Sequence, residues 1–411
     1  MWNDNLSSGS RLELSMSTSG ISEIVEGGTR LLVPNASLTK KIPPKVPAFF
    51  NPVAKRNRDI SILVYSAFSE LDSLKSLTFA DSLCGVGSRG LRVGVEIPSS
   101  QELWMNDINP NALELAAESA KLNSIINKCH FHNGEACSFL LSNQNHERKR
   151  YDIVDLDPFG SPSPYIDCVL RAVKNGGLLS VTATDTAVLC GVYPHVCFRK
   201  YLGYPINNEY ANEIGIRLLI SLIAFTASRF DLAIIPLFSH TNLHFMRTYL
   251  QIKISNNQAN NIHTKIGNIL HCHKCGNRTQ MALGDCSKSC SICLSKCSLA
   301  GPLWKGPLSD IQFLKIMLNL VPRLTTYQQS PNLQKSIINQ LEVTAKEIPE
   351  PYYYLVDAIA SKLKISPPPI SEVIECILDS GFSASRAALN PRGIKTVASI
   401  TEILHALKNR N

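Results

Sequence analysis

The 411-residue chain has no run of 18 residues that is both apolar and free of charge. Its most apolar stretch, Leu218 to Ala227, lies between Arg217 and Arg229 with Asp231. That reads as a buried helix, short of the roughly 20 apolar residues a membrane span needs. No short apolar segment with a basic lead stands near the start, which argues against secretion. Asp4, Glu13, Glu23 and Glu26 do not fit a transit peptide, which is poor in acids. Charged residues are few at 18% and apolar ones reach 44%, a balance that excludes long disorder. No internal repeat is present. These absences leave an intracellular, globular chain of two or three domains, located in the nucleus, the cytoplasm or an organelle.

What is present is unevenly placed. The net charge is +8, of which residues 1–255 carry only +1, residues 256–310 carry +4 and residues 311–411 carry +3. A near-neutral half followed by a basic half is compatible with a nucleic-acid partner, although ordinary surface charge has the same signature.

Of the thirteen cysteines, six lie between Cys272 and Cys297. Cys84, Cys129, Cys137, Cys168, Cys190, Cys197 and Cys376 are scattered through apolar stretches and read as small buried hydrophobes in a reducing compartment. The cluster contains two C-x-x-C pairs, Cys272/Cys275 and Cys290/Cys293, separated by fourteen residues. Two tight turns at that spacing present four thiolates to one structural zinc, with no open position for chemistry. Cys286 with Cys290, Cys293 with Cys297, or a histidine at 271 or 273 are alternative ligands.

Along the chain, the Ser-rich first thirty residues read as loose, with a short strand from Thr29 to Val33. Between Lys40 and Arg58 there are six cations and no acid, with Phe49 and Phe50 in their midst. Exposed aromatic rings in a basic arm have a use in stacking on bases. From Asp59 strands alternate with helices, as a parallel sheet covered on both faces requires. The expected strands are Leu77–Leu83, Glu102–Asn106, Cys129–His132, Tyr151–Leu156 and Leu178–Ala183, then Ala233–Phe238 and Phe245–Ile254. A helix is expected over Pro164–Lys174, closed by Asn175-Gly176-Gly177. We divide the chain into a basic arm (1–58), an α/β domain (59–260), a cysteine module (261–310) and a mostly helical C-terminal domain (311–411). In the last, Tyr354–Lys362 and Ile370–Leu378 read as helices of a winged helix-turn-helix, with another over Thr396–Leu407.

The turn after the first strand of the α/β domain reads Asp81-Ser-Leu-Cys84-Gly85-Val86-Gly87-Ser88-Arg89-Gly90. Glycines at the head of a helix allow close approach of a cofactor. The literal G-x-G-x-x-G also suggests a dinucleotide oxidoreductase. Asp81 argues for S-adenosylmethionine instead, because an anion there suits a cationic amino-acid moiety and repels a pyrophosphate. Asp107, closing the second strand, is placed for ribose hydroxyls, and Arg89 for the cofactor carboxylate.

The fourth strand ends Asp155-Leu156-Asp157-Pro158-Phe159-Gly160, and open α/β sheets bind ligands at the carboxyl ends of their strands. Methylating an exocyclic amine requires that a lone pair delocalised into the ring be localised and a proton accepted. The Asp157 carboxylate can take one N–H and the carbonyl of Pro158 another, while Phe159 stacks on the base. Guanine, with donors at N1 and N2, suits a carboxylate. A base inside folded RNA must be flipped out first, and Phe49 can line the opposite wall. An Asp-Pro pair that only caps a turn is the structural alternative.

These motifs together resemble the tRNA guanine N2-dimethyltransferases, which make N2,N2-dimethylguanosine, typically at tRNA position 26. The resemblance rests on Phe49-Phe50-Asn51-Pro52, Asn57-Arg58-Asp59, Gly87-Ser-Arg89-Gly-Leu-Arg92, Asn106-Asp107-Ile-Asn109 and Asp155-Leu-Asp157-Pro-Phe-Gly-Ser-Pro162. Gly191-Val-Tyr193-Pro194, Arg199-Lys200-Tyr201, Glu213-Ile-Gly-Ile-Arg217, the cysteine pairs and Gly301-Pro-Leu-Trp304 extend it. It implies a Rossmann-like class I S-adenosylmethionine-dependent methyltransferase domain and a C-terminal domain that helps hold tRNA. It implies Asp157 as proton acceptor and Phe49 or Phe159 on the base. Arg58, Arg89 and Asp107 would contact the cofactor, with Glu135 and Ala136 near its adenine. Neither a membrane nor an obligate protein partner is implied. The chain departs from the family at Cys84-Gly85-Val86-Gly87, where Ser-Ala-Thr-Gly is usual, at Gly134-Glu135-Ala136, where Asp-Ala is usual, and at Ala387-Ala388, where Thr-His is usual. A cofactor-binding but inactive RNA-binding paralogue is the alternative reading.

Overall fold

The computed structural model describes residues 20–408, apart from 72, 145, 146, 149, 243 and 286. Of the first thirty residues, expected to be loose, 1–19 lie outside the described residues, and those from Ile21 onward are ordered in strands. β1 (Ile21–Glu26) and β2 (Thr29–Pro34) form an antiparallel hairpin that includes the strand expected from Thr29. Leu31 and Val33 are fully buried, and this burial holds the hairpin where composition suggested none.

The α/β unit then runs α1 (Lys55–Leu71), β3 (Leu77–Asp81), α2 (Ser88–Glu96), β4 (Ser100–Asp107), α3 (Pro110–Leu122), β5 (Cys129–Asn133), α4 (Ala136–Leu140), β6 (Tyr151–Leu156), α5 (Ile166–Ala172), β7 (Val173–Ala183), α6 (Pro194–Tyr201), α7 (Ala211–Ser228), β8 (Leu232–Asn242) and β9 (Phe245–Ile254). The sheet order is β5-β4-β3-β6-β7-β9-β8. Neighbours from β5 to β7 are parallel, while β9 is antiparallel to both β7 and β8. A dinucleotide-binding sheet has six parallel strands in the order 3-2-1-4-5-6. The inserted antiparallel strand sets this sheet apart and argues against the oxidoreductase reading.

β6 is buried at every position, the pattern of a strand covered on both faces. The helix expected to Lys174 stops at Ala172. Asn175-Gly176-Gly177 instead lies within β7, where pairing jumps from Tyr151–Val173 to Ile153–Leu178. Gly176, with φ of +85°, takes the bend. The long apolar helix α7 meets the length and composition of a membrane span but is mostly buried inside the protein.

The cysteine module is a small sheet of β10 (Ile266–His271), β11 (Arg278–Ala282) and β12 (Ser298–Trp304), ordered β11-β10-β12. Ile266, Ile269, Ala300, Leu303 and Trp304 join the core that surrounds α7. Helices α8 (Ile311–Leu320) and α9 (Pro331–Lys346) contribute Phe313, Leu314, Met317, Ile337 and Leu341 to the core around α1. A separate core forms only from Tyr354 onward. There β13 (Tyr354–Leu355), α10 (Val356–Leu363), α11 (Ile370–Asp379), β14 (Ala384–Arg386), β15 (Gly393–Thr396) and α12 (Ile400–Lys408) follow, with sheet order β13-β15-β14. Two helices and then a strand pair have the order of a winged helix-turn-helix. α10 and α12 begin later than the sequence suggests because Tyr354–Leu355 and Gly393–Thr396 pair as strands.

This last unit is tied to α7 by buried charge. Glu213 of α7 pairs with Arg217 (2.8 Å) and with Lys395 of β15 (3.4 Å). It also accepts from the backbone N–H of Tyr352 (2.9 Å). Burial alone would raise its pKa, but Lys395 and Arg217 outweigh burial and bring it to about 2, from an ordinary 4.5. A carboxyl whose folded pKa is depressed contributes stability above its unfolded pKa and loses it as the pH falls. Removing one partner of a buried pair costs about 3–5 kcal/mol, so Glu213→Gln should lower the unfolding free energy by that amount in denaturant titrations near pH 7. The gap to wild type should narrow as the pH falls from 4.5 toward 2.

Candidate active site

β3 and β6 are neighbours at the centre of the sheet, and their carboxyl ends mark the point where the strand order reverses. Asp81 ends β3, and its side chain is buried with one oxygen, Oδ2, unpartnered. Burial pushes its pKa up to about 8, with the charges of Asp155, Asp157 and Asp107 adding and Arg89 opposing. The turn that follows passes through Gly85 and Gly87, with φ of +54° and +73°. Gly87 then caps α2, and a β-carbon there would stand 2.9 Å from that of Ala116. Asp107, at the end of β4, accepts from the N–H of Gly85 (2.8 Å) through one oxygen and from Asn109 (2.9 Å) through the other. A carboxylate has about four lone-pair positions, so both oxygens retain capacity toward a ligand. Glu135 caps α4 through the N–H of Ser138 (2.7 Å), next to the buried Ala136. Backbone N–H groups of Cys137 and Ser138 hold its carboxyl below the usual range.

At the end of β6 a single guanidinium joins two carboxylates. Arg89 donates to Asp155 (2.8 Å) and to Asp157 (2.7 Å). From the other side Arg247 of β9 bonds Asp155, with Tyr65 and Ser180 completing the cluster. Tyr65 itself donates to Asp155 (2.7 Å). Arg247 also lies 3.9 Å from Asp157. Burial works against ionised Asp157, but Arg89 and Arg247 outweigh it and hold its carboxyl below the usual range. Pro158 is buried, and Phe159, 64% exposed, projects beyond it. Gly160 turns the chain back, donating to the Thr184 hydroxyl (2.6 Å) while its carbonyl accepts from the Thr184 N–H (2.9 Å).

The arm before α1 closes on this loop. Phe49 meets Phe159 edge to face, with ring centroids 4.8 Å apart, and Lys45 lies 5.0 Å from the centre of the Phe159 ring. Phe50, expected to be exposed, is buried beneath the guanidinium of Arg58. A large ring beside a charged arm goes inside when a core position is open to it. Arg58 is not brought to the mouth as a free cation. It forms a two-pronged pair with Glu26 (2.6 and 2.8 Å) and donates to the carbonyl of Asn51 (3.1 Å). Asp81, Gly85, Gly87, Arg89, Asp107, Asp157, Pro158, Phe159 and Phe49 thus gather at one end of the sheet, with Glu135 and Ala136 following β5.

Residues 27–408 match the family described as N2,N2-dimethylguanosine tRNA methyltransferase. The chain is 34% identical over 387 residues to the tRNA (guanine(26)-N(2))-dimethyltransferase of Methanothermobacter thermautotrophicus, covering 93% of this chain and 97% of that one. The enzyme of the same name from Methanosarcina barkeri is also 34% identical, over 94% of this chain and 98% of that one. Trm1 from Pyrococcus horikoshii, solved in complex with S-adenosyl-L-methionine, superposes with a TM-score of 0.77 at 28% identity, over 94% and 99% of the two chains. The chain belongs to this dimethyltransferase family.

The cysteine module of this family member brings Cys272, Cys275, Cys290 and Cys293 together, with all four sulfurs within 4.8 Å of one another. Each pair ends in the same turn. The N–H of Gly276 bonds the carbonyl of Cys272, and that of Leu294 bonds Cys290, both residues with positive φ. His271 is engaged by Tyr210 (2.9 Å) and His273 by Ser298 (3.0 Å). Cys297 faces the carbonyl of Ser295, and Cys286 lies outside the described residues. Two of the scattered cysteines depart from the expectation of free buried thiols. Cys137 and Cys168 are joined in a disulfide, because α4 packs on α5 and brings their Cα atoms to 5.4 Å.

Sequence reasoning missed Arg247 and Tyr65, and gave Asp155 no role of its own. The signal was available for Arg247. It is the one cation in the first eight residues of an otherwise buried strand, and a charge there must be paired. Arg247→Met would leave Asp155 without one of its two cations. We expect a loss of about 3–5 kcal/mol in unfolding free energy by denaturant titration. Arg247→Lys, with a single ammonium in place of a fork, should recover only part of it.

Proposed function

We propose that this protein transfers methyl groups from S-adenosyl-L-methionine to the N2 amine of a guanosine in tRNA, at position 26, first one and then a second. The observation that carries the reading is the opposition of two carboxylates at the head of the central strands. One is Asp81, with an unpartnered buried oxygen, and the other is Asp157, ionised between two arginines at the base of an exposed Phe159.

The residues fit the cofactor. An orphaned carboxylate oxygen calls for a cation, and the amino-acid end of S-adenosylmethionine supplies one. Asp107 has remaining lone pairs for ribose hydroxyls, and Glu135 with Ala136 borders the place for the adenine. Arg58 enters this scheme by holding Glu26 and Asn51, and so the arm that carries Phe49. Bound there, the cofactor supplies the methyl group and leaves as its thioether.

The chain's own groups then act on the base. Phe159 offers a ring for the flipped guanine, with Phe49 at its edge. Asp157 accepts an N–H of the N2 amine and turns its lone pair away from the ring system. When N2 gains the methyl group it becomes cationic, and its N–H is then far more acidic than a carboxylic acid. A carboxylate held below its usual pKa still accepts that proton, and the two arginines keep it ionised and oriented beforehand. The second transfer uses the same groups on the monomethyl product. The substrate places the enzyme inside the cell, in whichever compartment, nucleus, cytoplasm or organelle, holds unmodified tRNA.

We also assign a structural zinc to Cys272, Cys275, Cys290 and Cys293. Sulfurs on a tetrahedral zinc with bonds of about 2.3 Å stand about 3.8 Å apart, close to the observed 3.4 and 3.5 Å of the two facing pairs.

Two measurements test these assignments. Methyl transfer to tRNA lacking the modification, followed by nucleoside mass analysis, should yield dimethylguanosine. Asp157→Asn should reduce the rate by roughly 10²–10⁴ while S-adenosylmethionine still binds. Cofactor binding without any product in wild type would favour the inactive RNA-binding paralogue. For the module, elemental analysis of purified protein should find one zinc per chain, and Cys275→Ser should lose it and lower the melting temperature. A metal-free wild type with unchanged stability would sink that assignment.

A further inference from the structure

We propose that residues 192–204 form a platform that holds an unstacked nucleotide of the tRNA beside the one being methylated. The proposal rests on the reading above that tRNA is the substrate, and it adds a docking surface within the catalytic unit.

The surface is aromatic and carries the cation Arg199, while Lys200 is paired with Asp185 (3.2 Å). Phe198 of α6 stacks on Tyr204, with centroids 4.7 Å apart and planes 15° from parallel, and His195 stands edge-on to Tyr204 at 6.3 Å. Phe198 and Tyr204 are 46% and 41% exposed, and Tyr193 and Leu202 more so. Arg199 is exposed next to Phe198. No Asp or Glu occurs from Thr186 to Asn208. Contiguous exposed apolar surface marks an interaction site. An exposed arginine beside the rings, in a segment whose own residues include no acid, favours a polyanion over a protein as its occupant, and the face of an aromatic ring accepts any base.

Its position decides which nucleic-acid segment it meets. The hydroxyl of Tyr201, on the inner face of α6, accepts from Ser161 (2.9 Å) and donates to Asp185 (2.6 Å). Ser161 belongs to the loop that carries Asp157 and Phe159, and Thr184 bonds Gly160 of that loop. The platform is therefore fixed to the catalytic loop. On its far side the backbones of Tyr204 and Gly301 exchange two hydrogen bonds of 2.9 Å. The surface thus runs on toward the cysteine module, in the segment that carries +4. Flipping a base out of folded RNA unstacks its neighbour. In this assignment that neighbour's base lies on Phe198 and Tyr204, and its phosphate meets Arg199.

The test measures KM and kcat for tRNA, equilibrium tRNA binding at several salt concentrations, and sedimentation of the tRNA-free protein. Phe198→Ala should raise both KM and Kd for tRNA roughly tenfold, leaving kcat within about twofold and S-adenosylmethionine binding unchanged. Phe198→Tyr, which keeps the ring, should restore wild-type values. Arg199→Gln should reduce the slope of log K against log salt by about 0.7–0.9, the loss of one phosphate contact. Wild-type methylation with unchanged KM and Kd in Phe198→Ala would overturn the platform alone. A wild type that neither binds nor methylates tRNA would overturn the substrate reading with it. If Phe198→Ala dissociates an oligomer and leaves tRNA affinity intact, the surface is a protein interface and the proposal fails.

Discussion

The chemistry of this protein depends on one buried charge arrangement, in which Arg89 spans Asp155 and Asp157 while Arg247 reaches Asp155 from β9, across β7. Three carboxylates, Asp81, Asp155 and Asp157, meet at the end of the sheet with two guanidiniums between them. In a poorly solvated place, like charges this close would drive protons onto the carboxyls. The arginines divide the outcome. Asp157 remains an anion that accepts hydrogen bonds, while Asp81, more deeply buried and without a direct cation, is left in need of one. An acceptor for the base and a seat for a cationic cofactor thus arise from the same residue type, separated by what lies beside them.

A second lattice supports the first. Arg58 holds Glu26, and Arg92 holds Asp59 (2.6 Å) and Glu96 (2.7 Å) with no exposure to solvent. These pairs join the β1–β2 hairpin, α1 and α2 around the glycine turn. Asn51, bound by Arg58, follows directly on Phe49 and Phe50. The arm is therefore anchored from beneath by Phe50 and from the side by Arg58, which leaves Phe49 fixed against Phe159. Aromatic walls of a base pocket need such support, because a ring free to rotate loses the entropy advantage of a prepared site.

Much of the fold could be read from periodicity. The alternation of strands and helices from Asp59 onward, the all-buried strand Tyr151–Leu156 and the long core helix α7 each have one physical solution, a sheet covered on both faces. Boundaries failed where pairing overrode local preference. Gly176 bends a strand, although an Asn-Gly-Gly run is a natural helix stop, and Tyr354–Leu355 joins a sheet because Gly393–Thr396 lies beside it. The candidate site was legible in the same measure. Asp81, Gly85, Gly87, Asp107 and Asp157 stand at strand ends, which sequence order can locate. Arg247 comes from a strand 92 residues beyond Asp155 and 182 beyond Tyr65, and nothing local identifies these partners.

By itself the sequence determined which groups could do the chemistry: an Asp-Pro-Phe-Gly loop, a glycine turn preceded by an acid, and two cysteine pairs at metal-binding spacing. Those are short-range patterns, set by φ restrictions and by the reach of one turn. Only the tertiary structure decided their protonation and exposure. It made Phe50 core and left Phe159 exposed, it turned Arg58 inward to Glu26, and it set Arg89 between two carboxylates. Burial and charge pairing depend on residues tens to hundreds of positions apart, and their energies exist only once the chain has brought those residues together.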